Sequence, residues 1–357
     1  MTRGVLIIGA LLLGISAVPY IVYLAGITWG KKQEVLMPLE QYPPISVVIS
    51  AYNEQKNISD RLENLKACGY PDMEVIFVDD CSTDNTRYLA QETLDGLGFN
   101  YHLLFNDEQL GTSKSYNKAI AAATREIVVV TDADVMFKKD TLHQIITRLM
   151  SSTTIGAVTG DLQPEQTPGE TTELEYQYRS IYGRMCEWES AHDSTFNFNG
   201  ALMAFKKQSV VRIDDKHGAD DANIAFAAIR NGYRAVYEKD AVVYESVPES
   251  FTVQYKQKIR RATGLLEAMR ENDDLVFTPR KFSKFYFLRL WMYFISPSFF
   301  LVGLVLSIWL WIPVFILLVF TSFTRAFILN QFYLLAGFLN TGKNVQVWES
   351  TSSMVGK

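Results

Sequence analysis

At 357 residues the chain is long enough for more than one structural unit but not for many. Hydrophobic residues make up 48% of it and aromatic ones 13%, with 39 acidic against 34 basic side chains and a formal net charge of −5. This balance lacks the basic footprint of a nucleic-acid binder, so no nucleic-acid partner is expected. The three cysteines, Cys68, Cys81 and Cys186, lack metal-ligand spacing and read as free thiols of a reducing compartment.

In chain order, the first element is apolar. Gly4 to Trp29 carries no charged residue and exceeds the roughly 20 residues that cross a bilayer. Its length, and the lack of a clear small-residue cleavage site before Lys31, favour a retained helix over a signal peptide. Arg3 before it and Lys31 and Lys32 after it lean towards a cytoplasmic middle.

The middle alternates two periodicities. "ISVVIS" (Ile45 to Ser50), "EVIFVD" (Glu74 to Asp79), "YHLLF" (Tyr101 to Phe105) and "IVVVTD" (Ile127 to Asp132) have strand chemistry. Between them lie helical patterns over Asn57 to Lys66, over "TRYLAQETLDGL" with cap-like Ser82 and Thr83 ahead of it, and over "SKSYNKAIAAA". This order predicts an α/β fold with a mostly parallel, Rossmann-like sheet and helices on both faces. Ligands then bind at the carboxyl ends of the strands, where this sequence carries "AYNE", "DDCSTD", the glycine of "QLGTS", and "DAD". Neither G-x-G-x-x-G nor G-x-x-x-x-G-K-[ST] is present.

A second apolar region runs from about Phe285 to Leu339 and is too long for one span. "WLWIP", Trp309 to Pro313, reads as a turn between two helices at the far membrane surface. Arg280, Lys281, Lys284 and Arg289 form a basic flank ahead of it, again pointing the middle inwards. Arg325, Asn330 and Gln331 interrupt the apolar run and should face protein or a polar path, unless the helix ends near Thr324 and the rest lies along the interface. The expected organisation is a transmembrane helix over 1–33, a cytosolic domain over 34–245, juxtamembrane helices over 246–288, two transmembrane helices over 289–340 and a cytosolic tail over 341–357. Such a protein would be integral to the cell (plasma or inner) membrane.

Asp132 and Asp134 repel when both are ionised. A divalent cation, Mg²⁺ or Mn²⁺, between these carboxylates and a diphosphate would relieve that repulsion. Of Asp79 and Asp80, one could accept a hydrogen bond from a nucleobase and the other cap the following helix. Tyr52 offers a flat surface for a base and Glu54 an acceptor. Asp220 and Asp221 open an amphipathic helix that ends at Gly232, so either could cap it. Lys256, Lys258, Arg260 and Arg261 suit a membrane-surface helix or phosphate contact.

Strand–"AYNE", strand–"DDCSTDNT", strand–"DAD", "NGALMAF", "ADD" and "QKIRRATG", in that order between apolar helices, resemble the membrane-integrated family 2 inverting glycosyltransferases. These include the hyaluronan, chitin-oligosaccharide and cellulose synthases and the ceramide glucosyltransferases. The resemblance runs through nearly the whole chain, to Trp348. It implies the GT-A form of the fold and a nucleoside-diphosphate sugar donor, with uridine as the expected base. It assigns Tyr52, Glu54 and Asp80 to the base, and Asp132 and Asp134 to the metal, Asp132 also facing the donor sugar. Asn199 and Gly200 fall in the donor and acceptor wall, Asp221 becomes the catalytic base, and Gln257 and Arg260 close over the diphosphate.

The pattern departs from the family at four points. Arg261 stands where the Q-x-x-R-W motif has its tryptophan, Thr112 where many members have lysine with Lys114 two places on, and Ser50 where proline is common. Three spans are few for a polymer channel unless the protein oligomerises. These departures favour transfer of one sugar to a lipid or lipid-linked acceptor near Phe251 to Leu288. A processive polysaccharide or oligosaccharide synthase is the alternative, and a non-catalytic nucleotide-sugar-binding module the remote one.

Overall fold

The computed structural model describes residues 3–165, 170–246, 251–319 and 322–341. The expected alternation forms: β1 (Ile45–Ala51), α2 (Ile58–Ala67), β2 (Met73–Asp79), α3 (Thr86–Gly96), β3 (Asn100–Phe105), α4 (Thr112–Ala122) and β4 (Ile127–Asp132), preceded by the apolar helix α1 (Arg3–Trp29). After these come β5 (Val135–Phe137), α5 (Thr141–Met150), β6 (Ile155–Pro164), α6 (Glu170–His192), β7 (Met203–Lys206), α7 (Asp220–Arg230) and β8 (Arg234–Glu245).

All eight strands join one sheet in the order β3-β2-β1-β4-β7-β6-β8-β5. The half built from β1 to β4 is parallel, as expected. The other half is mixed: β7 runs antiparallel to β4 and β6, and β5 antiparallel to β8, while β6 and β8 are parallel. The sheet is buried on both faces. Val48, Val128 and Val130 pack with α4 and α7 residues on one side; Val47, Ile49 and Val129 pack with α2 and α5 residues on the other. Burial on both sides is why these strands read as continuous apolar runs rather than alternating ones.

The short strand β5 has a consequence for the site. It leaves β4 straight after Asp132 and pairs with the end of β8, setting Val135 opposite Glu245. That register brings Glu245 beside the Asp132–Asp134 turn.

Beyond β8 the chain is helical. α8 (Phe251–Glu271) leads through a 3₁₀ turn to α9 (Lys281–Leu290), a π-helical turn over Trp291–Ile295, and α10 (Ser296–Val319); α11 (Ser322–Asn340) follows. Two stretches among the described residues, Arg3–Trp29 and Lys281–Ser307, are long and apolar enough to cross a membrane. They pack closely where both are small. A Cβ on Gly9 would lie 3.1 Å from Cβ of Leu306 and Ser307, and one on Gly303 would lie 3.0 Å from the Gly9 carbonyl. Close backbone approach of this kind drives helix pairing where water supplies no hydrophobic force.

Two expectations about this region are corrected. "WLWIP" lies inside α10, which runs on to Val319. Proline and interfacial-type tryptophans are tolerated within an apolar helix, so they did not mark its end. Arg289 is no flanking surface cation. It is fully buried, donating from Nε to Glu189 Oε1 at 2.7 Å and to Tyr23 Oη at 3.1 Å, and from Nη1 to Tyr293 Oη at 2.8 Å. Arg280 likewise pairs with Asp193 at 2.6 Å. Gln331 is buried against Tyr20, as its polarity required. The side chain of Arg325 and the tail with Trp348 lie outside the described residues.

Candidate active site

The carboxyl ends of the central strands open into a cavity of about 420 Å³, within the ~300–1,000 Å³ usual for small-molecule sites. Asp132, Asp134, Asn199, Gly200, Asp220, Asp221, Gln257 and Arg260 all line it. Residues drawn from β4, from the loop before β7, from α7 and from α8 therefore converge on one space.

Its acidic groups are held close together. Asp132 is pushed up to about 7 by burial and by the charges of Asp220 and Glu245, with Arg261 pulling the other way. Asp134 rises to about 7 through burial, Asp132 and Glu245. Asp220 rises to about 7 through burial and the neighbouring Asp221, opposed by Arg260. Asp221 rises to about 6 by burial and is held lower than its neighbours by the Ala222 amide and by Arg261. Four carboxyls in one recess that resist ionising together form a site that would gain from a cation. Two hard oxygen donors one residue apart suit Mg²⁺ or Mn²⁺, which take one or two carboxylates and complete their shell with phosphate and water. Among the described residues no cluster of three acidic, histidine or cysteine ligands forms, so protein atoms alone do not build a cage.

Asp220 and Asp221 sit in the first turn of α7, where the helix dipole favours negative charge. Neither caps the helix, contrary to expectation. The cap position is Ala219, whose amide donates to the Gly264 carbonyl of α8 at 3.0 Å, and Asp221 Oδ1 accepts from the Ala222 amide at 2.7 Å. α7 is thus tied to α8, which carries Gln257 and Arg260. Those two side chains make no hydrogen bond or ion pair among the described residues and face the cavity. Burial lowers Arg260, as does Arg261, while Asp132 and Asp220 raise it.

Other expected site residues sit elsewhere. Tyr52, Glu54, Asp79 and Asp80 lie at the ends of β1 and β2 but do not line the cavity. Tyr52 is half-exposed there, as a stacking surface would be. Glu54 is buried; its Oε2 accepts from Asn57 at 2.6 Å and its amide donates to Thr86 Oγ1 at 2.7 Å. Asp80 is also buried, accepting from the amides of Leu110 and Gly111, both at 2.9 Å, and from Asn106 at 2.7 Å. Asp79 accepts from the Ser82 amide at 3.2 Å. The cap position of α3 is Asn85, and Asp84 takes the Thr86 amide at 3.0 Å, so Ser82 and Thr83 do not serve there. Asn199 uses both ends of its amide inside the protein, donating to the Gly160 carbonyl at 2.8 Å and accepting from the Leu202 amide at 3.3 Å.

Several further groups shape the cavity, and of these Glu175, Arg179 and Glu245 were not singled out from sequence. Gly111, at φ +85°, starts α4 and presents that helix N-terminus with Thr112 and Lys114 to the cavity. Glu245 accepts from Arg179 at 2.6 Å and from Arg261 at 2.7 Å, and Glu175 accepts from Arg179 at 2.9 Å and from Lys258 at 2.7 Å. Arg261, in place of the family tryptophan, belongs to this alternating chain of charges. The far end of the cavity is lined by Tyr293, Asn330, Tyr333 and Leu334, from the π turn and α11.

Comparison with known proteins is consistent with this geometry. The family described as "Glycosyl transferase family 2" matches residues 46–208. Poly-beta-1,6-N-acetyl-D-glucosamine synthase of Staphylococcus aureus (strain COL) is 27% identical over 232 residues, which are 63% of this chain and 55% of that protein. The synthase of Staphylococcus epidermidis is 26% identical over 229 residues, with the same shares covered. The chain spans about half the length of these curated relatives. A mannosyltransferase from Pyrobaculum calidifontis, solved in complex with GDP-Man and Mn²⁺, has the same fold: TM-score 0.82 at 24% identity, covering 95% of this chain and 99% of that one.

Proposed function

We propose, from the premise that residues 46–208 are a glycosyltransferase family 2 domain, that the chain is an inverting, metal-dependent glycosyltransferase. It would move one sugar from a nucleoside-diphosphate donor to a membrane lipid or lipid-linked acceptor. The observation that carries this reading is the continuity of the cavity. Asn330, Tyr333 and Leu334 of α11 line the same cavity as the Asp132–Asp134 pair.

Asp221 is the base in this scheme. Raised to about 6, it is ionised at neutral pH and basic enough to take the acceptor hydroxyl proton as that oxygen attacks C1 of the sugar. The sugar–phosphate bond breaks on the opposite face, the diphosphate leaves with the bond electrons, and the configuration at C1 inverts. Arg260, which makes no hydrogen bond or ion pair among the described residues, supplies a guanidinium for the departing phosphates, and its planar fork matches phosphate oxygens. Asp132 and Asp134 would hold the metal, which neutralises charge on the leaving diphosphate when bound. Tyr52 and Asp80 would flank the nucleobase; a uridine donor is the expectation from sequence, while the fold neighbour was solved with GDP-Man.

A second reading is a processive synthase, favoured by the curated relatives, which are named as polysaccharide synthases. One experiment separates the two. Membranes holding the full chain are incubated with Mn²⁺ and a panel of radiolabelled UDP- and GDP-sugars, and the products are partitioned into organic solvent and run on a gel. The proposal expects a single labelled sugar in the organic phase. A water-soluble ladder of long chains would overturn single transfer, and no nucleoside diphosphate release from any donor would overturn the enzyme reading.

A further inference from the structure

A buried cation stands behind the acidic pair. Arg61 lies on α2 among Ile58, Leu62 and Leu65, fully buried. It makes no salt bridge among the described residues. Its Nη2 donates to Thr131 Oγ1 at 3.1 Å, its Nε to the Asp132 carbonyl oxygen at 3.3 Å, and its Nη1 to Asn64 Oδ1 at 3.1 Å. The guanidinium also lies 4.0 Å from the centre of the Phe137 ring. Asn64 in turn grips both ends of Phe137, accepting its amide at 2.8 Å and donating to its carbonyl at 2.9 Å. The whole turn from Thr131 to Phe137 is therefore clamped from α2.

The clamp extends to the opposite wall. Thr131 Oγ1 donates to the Ala201 carbonyl at 2.7 Å. One residue earlier, a Cβ on Gly200 would lie 3.3 Å from Asp132 Oδ2, so that backbone sits directly against the carboxylate. The Thr131 hydroxyl accepts from Arg61 and donates to Ala201, and it fixes how far the 199–201 loop stands from Asp132.

We propose that Arg61 and Thr131 are positioning residues: the relay from Arg61 through the Thr131 hydroxyl to the Ala201 carbonyl sets the carboxylate geometry that receives the metal and the donor diphosphate. A buried guanidinium is costly to leave without partners. A lysine in its place would supply a point charge without the fork that reaches two oxygens at once. Hydrogen bonds behind metal ligands commonly carry about 10–100-fold of metal affinity. The inference rests on the metal reading of Asp132 and Asp134.

The test measures Mn²⁺ binding without turnover. Free Mn²⁺ is followed by electron paramagnetic resonance as it is titrated into the purified full chain with UDP or GDP present. T131V, T131S and R61K are compared with the parent, and melting temperatures are recorded alongside. T131V and R61K should bind Mn²⁺ about tenfold more weakly, while T131S, which keeps the hydroxyl, should bind like the parent. A folded T131V or R61K that binds as tightly as the parent overturns the inference and leaves the metal reading standing. A parent that binds no Mn²⁺ with either nucleotide overturns both. If T131V does not fold, R61K decides on the same criterion, and a T131S that binds as weakly as R61K also counts against the relay.

Discussion

Asp221 shows how much turns on one carboxyl. Its acid form cannot accept a proton, so transfer should appear as pH rises through the value of about 6 set by burial and opposed by the Ala222 amide and Arg261. With Mn²⁺ saturating, kcat/KM should therefore fall roughly tenfold per pH unit below that point and level off above it. Asp221→Asn should lose about 10²–10⁴-fold in turnover while still binding nucleoside diphosphate, which calorimetry would detect. Full activity in this variant would move the proton transfer to another group, and Asp220 is the neighbour to examine. Asp79, Asp80, Asp132 and Asp134 were legible in sequence because they follow an apolar run at a strand end, and Asp220 and Asp221 because they open an amphipathic helix. Arg61 carried a weaker signal, a charge on the apolar face of α2 between Ile58 and Leu65. Nothing local to Glu245 marked it, since its place depends on β5 leaving β4 to pair with β8.

At the scale of elements, glycine contacts link α11 to α8 and α8 to α7. A Cβ on Gly337 of α11 would lie 2.9 Å from Ala262 Cβ and 3.1 Å from the Thr263 amide of α8. Two residues further along α8, the Gly264 carbonyl receives the Ala219 amide at the start of α7. Gly337→Ala should push α11 away from α8 and displace Arg260 relative to Asp221. Overpacking of this kind costs about 1–3 kcal/mol of stability, and turnover should fall several-fold with Mn²⁺ affinity unchanged, as steady-state rates and a metal titration would show. An unchanged kcat would mean that α8 is positioned by its other contacts. The strands and the first helices were legible because their periodicity is local. The caps were not: Asn85 rather than Ser82 or Thr83 occupies the cap of α3, and Ala219 rather than Asp220 that of α7. Which polar residue caps a helix depends on the backbone angles at its first turn, and several residues nearby had the right chemistry. "WLWIP" misled for a related reason, since an apolar helix accepts both tryptophan and proline.

For the molecule as a whole, the joint between the apolar helices and the sheet domain is a charged one. Arg289 of α9 meets Glu189 of α6, with Tyr23 of α1 and Tyr293 of the π turn completing the cluster, and both charges are about 99–100% buried. Trp188, next to Glu189, fills the space over Gly26 of α1 and Gly30 just beyond it and meets the Tyr23 ring, so the same short segment of α6 supports two contacts with the first helix. Tyr293 also lines the cavity, so loosening the cluster would be felt there. The net value of a buried ion pair is small, because desolvation offsets attraction, but removing one partner strands the other at a cost of about 3–5 kcal/mol. Glu189→Gln and Arg289→Met alone should each lower the melting temperature substantially in detergent. The double variant Arg289→Met/Glu189→Leu should recover most of that loss, because neither charge is then left uncompensated. A double variant as unstable as the sum of the singles would show that the two charges act separately. Turnover discriminates further. If the pair also fixes the cavity through Tyr293, the double variant should regain stability yet keep a raised KM for a lipid-borne acceptor, with KM for the nucleotide sugar unchanged.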